Sequence, residues 1–206
     1  MSSDALLIDF GGVLTTSVFD AFGAFCVEHG MERDAAATCF RHDPESSALL
    51  VALEKGEMDD ATFEAGMSER LRGATGVTVA PDGLLTAMTA ALQPVPELID
   101  ATRRIRARGV PTIMVSNAMG TRSYDLIDVD ELFDHTVLST TLGVRKPSRK
   151  MYSTAAELAG VAPERCLMVD DLEQNLSGAA RIGMPGHLHV TVPETLARLE
   201  QEFGSF

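Results

Sequence analysis

Near its start the chain runs Ala5-Leu-Leu-Ile8 and then Asp9-Phe-Gly-Gly-Val13. An apolar run without polar alternation is the pattern of a strand buried on both faces, the usual state of strands in a parallel sheet. The aspartate at its end sets a carboxylate at the strand's carboxyl edge. The two glycines behind it allow the backbone to approach a ligand closely. Asp and Gly also favour tight turns, so this stretch alone leaves a plain turn open.

Working outward from this first run, Ala5 to Phe10, four more short apolar runs follow: Val110 to Ser116, Thr136 to Ser139, Cys166 to Val169 and His187 to Val190. Helical periods separate them at Leu98–Arg108, Met151–Leu158, Leu172–Ile182 and Glu194–Glu202. Strand alternating with helix predicts an α/β protein, a Rossmann-like open parallel sheet with helices on both faces. Residues 17–93 break the alternation: five helical periods (Phe19–His29, Asp34–Phe40, Ser47–Lys55, Ala61–Arg72, Leu84–Leu92) and no strand. This segment also carries 13 acidic and 5 basic residues, against 17 and 12 elsewhere. The expected division is an α/β core of residues 1–16 and 94–206, with 17–93 an all-helical cap over the active-site edge.

Composition narrows the function classes. At 206 residues, 45% hydrophobic and 23% charged, the chain has enough apolar material for a core without structural metal or disulfides. Its three cysteines, Cys26, Cys39 and Cys166, are dispersed and suit a reducing compartment. A formal charge of −13 argues against a nucleic-acid partner, which needs a basic face. No apolar stretch has membrane-spanning length, and the opening residues lack a basic flank, so a cytoplasmic protein is expected. One basic island stands out: Arg145, Lys146, Arg149 and Lys150.

In open α/β sheets, ligands sit beyond the carboxyl ends of the strands. Those ends carry Asp9-Phe-Gly-Gly12, Ser116-Asn117, Arg145-Lys146-Pro147 and Asp170-Asp171. Three carboxylates, a hydroxyl and a lysine form the inventory of a metal-assisted transfer site. More ordinary roles compete for some of them. Ser116 is a candidate helix cap, and Asp171-Leu-Glu-Gln174 reads as a capping box with Asn175 one turn along.

Four ordered motifs, Leu7-Ile-Asp9-Phe-Gly-Gly-Val-Leu14, Met114-Val-Ser116-Asn117, Lys146-Pro147 and Val169-Asp170-Asp171 with Asn175, resemble those of the haloacid dehalogenase superfamily. The helical insert is similar to that family's type-one cap. The resemblance implies a hydrolase that uses Asp9 as nucleophile. Mg2+ would be held by Asp9, the Gly11 carbonyl and Asp171, with Asp170 nearby. Ser116, Asn117, Gly12 and Arg145 would bind a small phosphorylated substrate, and Lys146 would offset charge at the nucleophile. One departure stands out: the family's phosphatases usually carry an acid/base aspartate two residues after the nucleophile, where this chain has Gly11. Dehalogenation of a 2-halo acid needs no such proton donor and is the alternative reaction. A binding domain that has lost catalysis is the third reading. Arg41, His42 and Glu54 are the polar cap residues to inspect for substrate choice, although a solvated helix end is the more ordinary role for each.

Overall fold

A computed structural model describes residues 3–120 and 124–205. It contains one five-stranded parallel sheet in the order β3-β2-β1-β4-β5. The strands are β1 Ala5–Ile8, β2 Thr112–Ser116, β3 His135–Leu138, β4 Cys166–Asp170 and β5 Gly186–Leu188. All five apolar runs become strands, with shifted ends. The second begins after Pro111, which has no amide to give the ladder. The fifth is an edge strand, partly buried at His187 and exposed at Gly186 and Leu188.

Between β1 and β2 lie α1 (Val18–Glu28), α2 (Ala35–His42), α3 (Pro44–Glu54), α4 (Asp60–Thr75) and α5 (Leu84–Thr89), followed by α6 (Pro96–Ala107). Their starts follow from side-chain caps. Ser17 accepts from the Asp20 amide, Asp43 from those of Glu45 and Ser46, and Asp59 from that of Thr62. Gly76, with φ of 75°, ends α4. The helices α1 to α5 share a core of their own built on Phe22, Phe25, Phe40, Phe63, Met67 and Met88. Where the chain leaves and re-enters the sheet region, Thr15 and Pro94 form an antiparallel bridge. The Thr16 amide there donates to Gln93 O at 2.8 Å, and the Val95 amide donates to Leu14 O at 2.8 Å.

The remaining helices are α7 (Val129–Leu132), α8 (Ser139–Leu142), α9 (Arg149–Ala159), α10 (Glu173–Ala180) and α11 (Val192–Phe203). Side chains of a strand alternate between faces, and the two cores divide accordingly. Leu6 and Ile8 of β1 pack with Leu98 and Ile105 of α6 and Leu199 of α11. Ala5 and Leu7 pack on the other face with Met151 and Tyr152 of α9 and Ala179 of α10. No helix among the described residues is long and apolar enough to cross a membrane.

Register places the site. Ile8 pairs with Val169 of β4 and Met114 of β2. Asp9 therefore emerges level with Asp170 and one residue short of Ser116, on strands about 4.8 Å apart.

Candidate active site

At the carboxyl edge of β1 and β4, Lys146 Nζ lies 2.7 Å from Asp9 Oδ2 and 2.7 Å from Asp170 Oδ2. All three side chains are buried, Lys146 to 1% exposure. Asp9 Oδ1 accepts from the Phe10 amide at 2.7 Å. Asp170 Oδ1 accepts from the Leu172 amide at 2.9 Å and from Asn175 Nδ2 at 2.8 Å. Asp171, half-buried, completes a carboxylate triad with Asp9 and Asp170 in which one oxygen of each lies within 4.8 Å of the others.

The electrostatics follow from this crowding. Burial pushes the Asp9 carboxyl up, Lys146 pulls it back, and Asp170 pushes it up again. Asp171 is raised to about 6 by burial and by Asp170. For Lys146 burial opposes charge, but the ion pairs with Asp9 and Asp170 outweigh it and its pKa rises. Three carboxylates facing one ammonium leave a formal excess of two negative charges in a desolvated pocket.

Two of the ordinary capping roles that the sequence left open are not taken up. Asp171 does not cap α10: the helix starts at Glu173, and Asp170, not Asp171, holds the entry through Leu172 and Asn175. Ser116 caps no helix either. It ends β2, buried, with no assigned helix before α7 among the described residues. Tyr124, absent from the sequence reading, stands over it. Its hydroxyl is buried beside Ser116 without a well-directed hydrogen bond, and its ring meets Phe10 edge-on at 4.9 Å. A lone loop tyrosine carries no local signal that would have marked it.

Asn117 holds the lysine in place. Its Oδ1 accepts from the Lys146 amide at 2.7 Å, and its Nδ2 donates to the Lys146 carbonyl at 3.4 Å. The side chain expected to bind substrate thus meets the Lys146 backbone with both its polar atoms. Gly12, with φ of 80°, lies so close to Asp171 that a Cβ there would fall 2.3 Å from Asp171 Oδ2. At Gly11 a Cβ would meet Val18 Cγ2 of α1 at 2.8 Å. The place of the missing aspartate is filled by a cap residue.

The basic island separates. Lys146 turns inward, while Arg149 and Lys150 are exposed and absent from the cavity above Asp9. Arg145 lines that cavity and sets Nη1 2.8 Å from Glu54 Oε2. Glu54 is the one polar cap residue of the three that departs from the solvated role. Arg41 and His42 are exposed and do not line the cavity, whereas Glu54 is buried in its wall. Burial lifts its carboxyl to about 7, against the pull of Arg145 and Lys146. The cavity itself measures about 360 Å³ and opens onto Asp9, Ser116, Lys146 and Asp171.

A buried carboxylate beside a lysine and two further aspartates thus lie together at one edge of the parallel sheet. The chain belongs to the haloacid dehalogenase-like hydrolases, matching that family over residues 3–183. Among curated relatives it is 30% identical over 97 residues to a glyceraldehyde 3-phosphate phosphatase of Methanopyrus kandleri, covering 45% of this chain and 42% of the relative. It is also 30% identical over 97 residues to the (S)-2-haloacid dehalogenase H-109 of Pseudomonas putida, covering 46% and 43%. The matched stretch thus spans under half the length of either relative. A HAD family enzyme from Bacteroides thetaiotaomicron, solved as an aspartate-to-alanine variant with magnesium and inorganic phosphate, shares the fold at a TM-score of 0.67. It is 21% identical, with 92% of this chain and 95% of that one covered.

Proposed function

We propose that the protein is a Mg2+-dependent phosphatase of small phosphorylated metabolites, working through an aspartyl-phosphate on Asp9, with residues 17–93 as a cap over a core of 1–16 and 94–206. The observation that carries this reading is the carboxylate triad of Asp9, Asp170 and Asp171 around one buried lysine. Its excess negative charge and all-oxygen donors fit a hard divalent cation. Asp9, Asp171 and the Gly11 carbonyl would hold it, with Asp170 fixing Lys146. A bound Mg2+ would supply Lewis-acid stabilisation of charge on the phosphoryl oxygens.

The chain's own residues then account for two displacements. A carboxylate oxygen of Asp9 attacks phosphorus, and the bond to the alcohol oxygen breaks with its electron pair going to that oxygen, which takes up a proton. Water next attacks phosphorus, the bond to Asp9 breaks, and the carboxylate is regenerated with release of phosphate. Lys146 stays charged throughout and offsets the anion gathered at Asp9. Ser116 donates to a phosphoryl oxygen, and Asn117 keeps Lys146 in reach.

The likeness to both a phosphatase and a dehalogenase, together with Gly11, supports a second reading, displacement of halide from a 2-halo acid. One panel separates them. Aryl, acyl and alkyl phosphates and 2-chloropropionate are assayed with Mg2+ and with excess chelator, on the natural chain and on Asp9→Asn. The proposal expects phosphate release that needs Mg2+ and collapses in Asp9→Asn. Halide release undiminished by chelator would move the assignment to the dehalogenase.

A further inference from the structure

The reaction proposed above needs a proton at the leaving oxygen, and Gly11 has none to give. Among the described residues, the titratable groups that line the cavity outside the carboxylate triad include Tyr124, Lys146 and Glu54, with Asp60, Glu64, Asp125 and Arg145 also in the wall. Lys146 is locked between Asp9 and Asp170. Tyr124 is shifted far to the alkaline side by burial. Glu54 differs from both. It is the last residue of α3, where the helix end leans on α8: the Glu54 carbonyl accepts from Ser139 Oγ, and Gly56 packs against the Thr140 carbonyl. Ser139 Oγ in turn accepts from the Ala118 amide at 2.9 Å, two residues beyond Ser116. The backbone of Glu54 is thereby fixed to the loop that carries the site. Its Oε2 is buried in the cavity wall and has no hydrogen bond, because Arg145 stands at 2.8 Å but off the bonding direction.

We infer that Glu54 replaces the missing aspartate: its carboxyl donates the proton to the departing alcohol and, as the carboxylate, then takes one from the water that clears Asp9. Both steps balance, since the proton lost by Glu54 in the first is recovered in the second. The inference rests on the phosphatase reading. Two facts beside the geometry support it. Val18 occupies the space an aspartate at position 11 would need, so the donor has to come from elsewhere. A carboxyl poised near 7 is also matched to proton transfer at neutral pH.

The test uses the Mg2+-loaded chain and its Glu54→Gln and Glu54→Asp variants, under single-turnover conditions, on acyl, aryl and alkyl phosphates. An acyl leaving group departs as a stable anion and needs no proton. Glu54→Gln should therefore leave acyl phosphate cleavage nearly unchanged and slow alkyl phosphates by about 10² to 10⁴. In multiple turnover it should show a burst with acyl phosphate, because the second step has lost its base. Glu54→Asp should recover part of the alkyl rate. For the natural chain the alkyl rate should fall as pH rises through about 7, and Arg145→Met should move that limb upward by removing the charge that lowers it. Equal loss on all leaving groups, an unmoved limb, or no effect of Glu54→Gln would each overturn the inference and leave Glu54 as a cap latch. Failure of the phosphatase reading looks different: no Mg2+-dependent release of phosphate from any member of the series.

A separate observation concerns the body of the substrate. Away from Asp9 the cavity is walled by Phe19, Phe22, Leu50, Leu85, Leu92 and Leu126. Phe19 and Leu126 remain 47% and 41% exposed at its rim. Among the described residues its cationic groups are Arg145 and Lys146, both engaged by carboxylates. Glu64, also in the wall, accepts from the Gly83 and Leu85 amides, and Asp60, Thr86, Thr89 and Asp125 line it as well. The geometry points to the monophosphate of an alcohol with an apolar, uncharged body. Across a series of primary alkyl phosphates, kcat/KM should rise by about fourfold per methylene until the chamber is filled. A hexitol phosphate, with the same kind of leaving group, should be poorer than hexyl phosphate, and Leu50→Asn should flatten the series. A flat chain-length dependence in the natural chain, or preference for the polyol, would overturn this assignment.

Discussion

Lys146 is buried to 1% exposure between two carboxylates, so its loss should be felt in stability as well as in rate. Lys146→Met keeps most of the volume but leaves Asp9 and Asp170 facing each other without a counter-charge. Removing one partner of a buried ion pair typically costs about 3 to 5 kcal/mol. The metal-free variant should unfold at clearly lower temperature and recover part of that loss in Mg2+, while turnover collapses. Unchanged unfolding and kinetics would show the lysine to be dispensable. Gly11 gives a second test at this scale. Its Cβ would lie 2.8 Å from Val18 Cγ2, a stiff β-branched group, so Gly11→Asp alone should destabilise by about 1 to 3 kcal/mol through overpacking. Val18→Ala should make room. In a double-mutant cycle the pair should couple favourably by about 0.5 to 3 kcal/mol. Strict additivity would mean the two sites do not compete for space.

At the scale of elements, Asp170 ties β4 to α10. It takes Lys146 on one oxygen and the first turn of α10 on the other. Asp170→Ala should therefore raise hydrogen exchange at the start of α10, by an amount near a lost helix cap, about 0.5 to 2 kcal/mol, while the middle of β4 stays protected. Uniform acceleration across the core would instead mean global destabilisation. This junction also shows where sequence runs short. Strands β1 to β5 were legible because continuous apolar runs leave few alternatives, and the long helices because their period repeats. Neither cue exists for α7 or α8, four residues each. Of two adjacent aspartates, sequence cannot say which turns inward; register with β1 decides, bringing Asp170 level with Asp9. Glu54 is the same problem across a longer distance. Its side chain reaches the site only because α3 ends on α8, a tertiary contact that no local pattern records.

For the whole molecule, the site's excess negative charge couples folding to pH and to metal. Asp171 is raised from 3.8 to about 6 and Glu54 from 4.5 to about 7, both by burial, and Asp9 is raised as well. A carboxyl whose folded pKa lies above its unfolded value binds more protons in the folded state across the interval between them. Its stabilising contribution is complete below the unfolded pKa and is lost as pH rises through the folded one. The metal-free protein should accordingly lose thermal stability between about pH 4 and pH 7, the window these shifts define. Divalent cation acts in the opposite direction. It binds the ionised carboxylates, competes with their protons, and stabilises only the folded state. The gain in Tm on adding Mg2+ should therefore grow from pH 5 to pH 8, and the holo protein should show a flatter pH profile than the metal-free one. Melting curves at fixed ionic strength, with Mg2+ or with an equal ionic strength of K+ and chelator, measure both. A Mg2+ increment that is constant with pH, or larger on the acid side, would mean that the cation does not bind at the Asp9, Asp170 and Asp171 cluster.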